Sequence, residues 1–320
     1  MDLLRVIAIS MIVLMHSPRP EGNAPGYILS SISYLTVAGL VLFFVISGSL
    51  LLNNNLSTKE FIKRRFSKIV WPTLFWTLFY MAVKTINGTP MPSTPLKRFL
   101  SIPFTNQGLG VLWFMYALAG LYLLTPILSQ WLKKASKREV EFYLALWTVT
   151  LLYPYLSQFI TITAGKNGIL YYFSGYVGYY VLGYYLSKHY IFRLWHVALA
   201  LALAVLIPVG LYSSGKEFDF YTMLWSHTLP VASMAFAIYV LINQLPNKHI
   251  RWIELVSKMS FGIYFLHIFF MRDIIWKIEL VTNLPDVIQI FVIAFTTLVV
   301  SFLVSWLISK LPFSKYIIGV

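Results

Sequence analysis

No cysteine occurs among the 320 residues. Its absence excludes disulfides, thiolate catalysis, iron–sulfur ligation and palmitoyl anchoring together, while leaving the redox compartment open. Charge is scarce as well: 11% of residues are Asp, Glu, Lys or Arg, and only 11 of them are acidic. No cluster of His, Asp and Glu has metal-ligand spacing, so no metal is expected. Long polar stretches are missing too, which leaves no room for a separate soluble domain, and residues 1–320 read as one domain. The first apolar stretch runs into Ser17-Pro18-Arg19-Pro20 without a small-residue cleavage site, so it reads as a retained helix rather than a cleaved signal. The chain opens at Met1-Asp2 with almost no hydrophilic leader, which fits a start a few residues upstream.

What is abundant is apolar surface. With 58% hydrophobic residues and a mean hydropathy of +0.73, the chain has too little polar surface to cover a soluble body of its size. An all-α, polytopic integral membrane protein follows. Windows of about 20 apolar residues fall near 2–17, 28–52, 69–87, 109–132, 141–161, 168–187, 194–212, 222–243, 259–278 and 286–309, separated by breaks such as Asn87-Gly88-Thr89-Pro90. About ten transmembrane helices are thus expected. With a cytoplasmic N-terminus, sixteen Lys and Arg fall in inside loops (among them Lys59, Lys63, Arg64, Arg65 and Lys68) and six fall outside (Arg19, Lys97, Arg98, Lys166, Lys216 and Lys277). That bias puts both termini in the cytoplasm. It also accounts for the +14 net charge as topology plus attraction to anionic membrane lipid, with no call for nucleic acid. No internal repeat is visible, which weakens an inverted-repeat transporter reading.

Within the first apolar segment stand Arg5 and His16. An eleven-residue offset turns a helix through about 1100°, roughly 20° past three turns, so both share one face about 16 Å apart along the axis. An ionisable group in hydrocarbon costs at least roughly 2.5–3.5 kcal/mol, so that face turns inward and marks a functional seam. Asp2 stands three residues before Arg5, where it can pair with and orient the cation.

Further along come Phe43-Phe44-Val45-Ile46-Ser47-Gly48-Ser49-Leu50-Leu51, the basic run Lys63-Arg64-Arg65-Phe66-Ser67-Lys68, Leu112-Trp113-Phe114, and Ser260-Phe261-Gly262-Ile263-Tyr264-Phe265-Leu266-His267. With the Asp2-x-x-Arg5 opening and the Arg5/His16 spacing, this ordered set resembles the acyltransferase 3 family of bacterial membrane proteins, over essentially the whole chain. The family's usual basic motif is Arg-x-x-Arg, whereas the matching positions here are Arg65 and Lys68. The resemblance implies a multi-pass protein of the bacterial cytoplasmic (inner) membrane. It implies an O-acyltransferase that moves an acetyl or other short acyl group from acetyl-CoA, or another acyl-CoA, to a hydroxyl of a cell-envelope glycan or lipid-linked precursor. It further implies His16 and Arg5 as catalytic residues and Arg65, Lys68 and Arg64 around the donor, with Asp2, Ser47, Trp113, Tyr264 and His267 in support. Membrane lipid is a partner, and a homo-oligomer is compatible.

The residue types fit that chemistry. Acyl transfer from a thioester needs a base for the hydroxyl proton, or a nucleophile to carry the acyl group, and histidine serves as either. Guanidinium groups suit the donor's phosphates. Each signal also has a plainer use. Arg5 can snorkel to the interface, His16 can sit at the outer headgroup level, and the basic run satisfies the positive-inside rule unaided. His267 can be a hydrogen-bonded core histidine, Ser47 and Gly48 can admit close packing, and Trp113 can belong to an aromatic belt. A transporter using the Arg5/His16 seam, and a sensing or scaffold subunit, stay open alongside the enzyme. Acceptor contacts are expected in outer loops near 18–27, 88–108, 162–168 and 213–221.

Overall fold

In the computed structural model, the structure describes residues 1–17, 31–54, 57–88, 94–106, 109–162, 167–214, 219–246 and 248–320. Arg19, Lys166 and Lys216 lie outside them, as do residues 18–27 and parts of the other outer loops. Among the described residues there is no strand, and every apolar window holds a helix. These are α1 (Asp2–His16), α2 (Ala38–Leu51), α3 (Ser67–Ile86), α4 (Trp113–Lys134), α5 (Lys137–Leu151), α6 (Tyr176–Lys188), α7 (Leu194–Ser213), α8 (Leu229–Gln244), α9 (Arg251–Ile268) and α10 (Asp286–Ile308). Six helical stretches are long and apolar enough to cross a membrane, including Ser31–Leu51, Thr58–Ile86 and Arg251–Lys277. The remaining four, α1, α5, α6 and α8, hold 13–16 residues each. The protein is all-helical and resides in a membrane.

Several boundaries depart from the hydropathy windows, each for a local reason. The basic run is helical and not a loop. Ser57 caps it, accepting from the Glu60 amide while the Glu60 carboxylate accepts from the Ser57 amide, a complete capping box. A π-helical turn at Ile62–Phe66 then feeds α3. α9 begins at Arg251, eight residues before its apolar window, with Glu254 and Lys258 paired at 2.6 Å on its first turns. α6 starts only at Tyr176, after Gly175 at φ +96°, a left-handed conformation that favours glycine.

Burial explains the layering. α2 is buried on nearly every side, as expected of a helix apolar all round. Its Gly48 lies against the Tyr180 carbonyl of α6, while Gly183 of α6 lies against the Val45 carbonyl of α2; a Cβ added at either would sit 1.9 Å from that oxygen. α1 packs against α9, α2 and α10. α7 and α10 each bury one narrow stripe, Val197, Ala200, Ala204 and Pro208 in the first case. Their other faces are apolar and exposed, as lipid-facing helices are. On α10 the buried stripe includes Thr297, Ser301 and Ser305, and Gly262 of α9 admits Ser305 closely.

Candidate functional site

The site is an inward seam between α1 and α9, which run side by side. At one end the Arg5 guanidinium donates from Nη1 to Asp2 Oδ1 at 3.1 Å and to Ser257 Oγ at 3.5 Å, and Ser257 Oγ donates to Asp2 Oδ1 at 2.7 Å. This triangle fixes the cation at the mouth of a cavity of about 230 Å³. Arg5, Ser47, Arg65, Lys68, Tyr122 and Ser257 line it, with Lys258 at its edge. Arg65 and Lys68 are exposed, and among the described residues neither forms an ion pair. They stand three apart across the junction of the π turn and α3. Several cations therefore face one small cavity, an arrangement suited to phosphate or another polyanion.

The chain's last turns close the same cavity. The Trp76 indole N–H donates to the Ile317 carbonyl at 2.8 Å, which pins the Ser314–Ile317 turn on α3 and brings Gly319 and Val320 to the cavity wall. Gly319 has φ +74°, so its backbone turns where a side chain would be strained.

At the other end, the rings of His16 and His267 lie 5.0 Å apart. His16 Nδ1 stands 2.9 Å from the Ile12 carbonyl, and His267 Nδ1 stands 2.5 Å from the Tyr264 carbonyl. A carbonyl oxygen only accepts, so both Nδ1 atoms carry the proton in the neutral rings and both Nε2 atoms carry the lone pair. His267 Nε2 then faces His16 Nδ1–H at 3.4 Å, a long second acceptor for that proton. His267 is fully buried. The pair thus fixes the His16 tautomer that leaves Nε2 basic, as the orienting group does in a nucleophile–base arrangement.

Aromatic rings occupy the space between the two ends. The cavity reaches Phe43, Ser260 and Phe261. Tyr264 and His267 lie one and two turns further along α9, about 10 Å in all. Tyr264 packs at 5.4 Å from Phe114 and 5.7 Å from His267. The Tyr80 hydroxyl ties α3 to this segment by donating to the Phe265 carbonyl at 2.6 Å. A π-helical turn, Phe269–Ile274, follows directly on α9; such turns are frequent at functional positions.

The structure therefore gathers Arg5, Ser47, Arg65 and Lys68 at one end, with Asp2 behind Arg5, and His16, His267 and Tyr264 at the other. Two further candidates lie outside the wall of the cation cavity. Arg64 reaches Glu60 at 4.0 Å and lines an adjoining cavity that shares Lys68, Gly319 and Val320 with the first. Trp113 packs on Tyr176 at 5.6 Å, ring to ring, and edge-on to Phe114. Sequence reading missed Ser257, Lys258 and Tyr122. Ser257 had a visible signal, because Ser257, Ser260, Tyr264 and His267 recur at helical spacing on one face of α9. Tyr122 had none, as only the fold brings α4 to this cavity.

Apolar helices around an inward-facing polar seam define an integral membrane protein. The chain belongs to the acyltransferase 3 family, whose acyltransferase domain matches residues 1–309. It is thus a membrane acyltransferase. No curated protein and no solved structure matches it.

Proposed function

We propose that the protein is a ten-pass enzyme of the bacterial cytoplasmic membrane, both termini cytoplasmic, that transfers an acetyl or other short acyl group from acyl-CoA to a hydroxyl of an envelope glycan or lipid-linked precursor. The single observation that carries this reading is the convergence of Arg5, Arg65 and Lys68 on one cavity at the end of the same seam that holds the His16–His267 pair. Donor phosphates bind at the cations, and the pantetheine arm extends along the seam, covering about 16 Å from the level of Arg5 to that of His16. Passage requires the Tyr264 and Phe114 rings to part.

At the far end the acceptor hydroxyl oxygen attacks the thioester carbonyl while His16 Nε2 takes its proton. The tetrahedral intermediate collapses, the carbon–sulfur bond breaks, and the imidazolium returns the proton to the departing CoA thiolate. The lone pair on His267 Nε2 faces the His16 Nδ1–H that carries the developing charge, so His267 acts as a positioning residue. Removing a general base typically costs about 10²–10⁴-fold in rate. His16→Ala is expected to lose that much coenzyme A release from labelled acetyl-CoA while remaining folded in the membrane; wild-type activity in that variant would remove His16 from the mechanism. His267→Phe is expected to lower kcat about ten- to hundredfold, the worth of one hydrogen bond to a charged group, with the donor KM unchanged.

A further inference from the structure

Away from the seam, a larger open cavity of about 510 Å³ is lined by residues of α5, α6, α7 and α8. Its two ends differ in chemistry. One end collects Lys137, His189, Arg193 and His196, where α5 and α7 begin and α6 stops. The rest is apolar, with Leu144 and Leu151 from α5, Leu203 from α7, and Phe236 from α8 among its walls. From Arg193 to Leu203 the trough follows α7 for about 15 Å, which is half of the roughly 30 Å hydrocarbon core. A trough of that length, polar at one end and open along its side, matches one leaflet.

The charges at the polar end do not cancel. Lys137 pairs with Glu141 at 3.6 Å, and the Tyr185 hydroxyl donates to the same carboxylate at 2.7 Å. Arg193, exposed at the first residue before α7, forms no ion pair among the described residues. His189 is held below its ordinary imidazole value by burial first and then by Lys188 and Lys137, with Glu141 opposing them. α7 also starts without a side-chain cap, and its first-turn residues Trp195 and His196 line the same end, adding the positive pole of a 20-residue helix. His196 is engaged by the Tyr190 hydroxyl at 3.0 Å, which holds the ring at the trough's edge.

We propose that this trough binds an anionic phospholipid, its phosphate against Arg193 and Lys137 and one acyl chain along Leu144, Leu203 and Phe236. Basic pockets between membrane helices select anionic headgroups, each Lys or Arg near the surface contributing about a fivefold preference. The site uses no residue of the α1–α9 seam, so it stands independently of the acyl-transfer reading.

Native mass spectrometry of the purified full chain, titrated in parallel with phosphatidylglycerol and phosphatidylcholine, tests the assignment. The expected result is tighter retention of phosphatidylglycerol, a roughly fivefold loss of that retention in R193Q with phosphatidylcholine unaffected, and weakening of both lipids in L203W, which fills the trough. Arg193 is exposed, so R193Q does not endanger folding and decides the matter if L203W fails to fold. Equal retention of the two lipids, or undiminished phosphatidylglycerol binding in R193Q, overturns the proposal. So does an L203W variant that binds lipid normally but converts a dimer to a monomer, since a second copy would then be the occupant.

Discussion

At position 68 lysine stands where the family's usual basic motif has arginine, and the structure puts its side chain on the cavity shared with Arg5 and Arg65. An ammonium offers a point charge, whereas guanidinium offers a planar fork matched to phosphate. Lys68→Arg is therefore expected to keep or lower the KM for acyl-CoA, by up to about tenfold if one further charge-assisted hydrogen bond forms. Steady-state kinetics on the donor would check this, and a clear rise in KM would count against phosphate contact there. Residues of this kind were legible in the sequence because a charge inside an apolar segment has few places to go. Arg5, His16 and His267 stood out for that reason. Tyr122 did not, since an aromatic residue in a membrane helix is ordinary, and only the packing of α4 on the Ile62–Phe66 turn gives it a cavity to face. Arg64 shows the converse: its charge was visible in the basic run, but a helical turn brings it to Glu60 and to the adjoining cavity that it shares with Lys68.

Among the elements, the tightest packing is between α2 and α6, and glycine permits it. A methyl at Gly48 would lie 1.9 Å from the Tyr180 carbonyl oxygen, a backbone atom that cannot swing aside, whereas a methyl at Gly120 on α4 would meet nothing within 4 Å. Gly48→Ala is expected to cost at least about 1–3 kcal/mol as an overpacked contact. Gly120→Ala is expected to leave stability unchanged or raise it by about 0.5–1 kcal/mol. Thermal unfolding of the detergent-purified variants would separate them, and equal melting temperatures would refute the close-packing account. Helix positions could largely be read from hydropathy, whereas helix ends could not. The Ser57–Glu60 capping box is written in the sequence, yet the charges following it resemble a loop until the cap is recognised. The early start of α9 has a similar cause, because Arg251, Glu254 and Lys258 depress an apolar window although long charged side chains sit comfortably at a helix end.

For the molecule as a whole, orientation is the property with the widest consequences, since it decides which compartment supplies the donor. The cysteine-free sequence makes this directly measurable. Lys137, the first residue of α5, and Asn283, between α9 and α10, are both exposed. In intact spheroplasts a membrane-impermeant maleimide is expected to label Asn283→Cys and spare Lys137→Cys until the cells are opened. The reverse pattern would invert the topology and move the cation-lined cavity to the outer face.

Between Arg5 and His16 α1 carries no charged residue, nor does α9 between Lys258 and His267, so the stretch of the two helices between the ends is neutral. If the phosphates stay docked at the cations, the only moiety delivered along it is an uncharged acyl thioester. Moving one elementary charge through the full field costs about 2.3 kcal/mol per 100 mV, and a delivery of this kind avoids that work. Transfer should then be electrically silent: turnover in proteoliposomes is expected to be the same with or without an imposed potassium diffusion potential, so an energised and a depolarised membrane would support the same intrinsic rate.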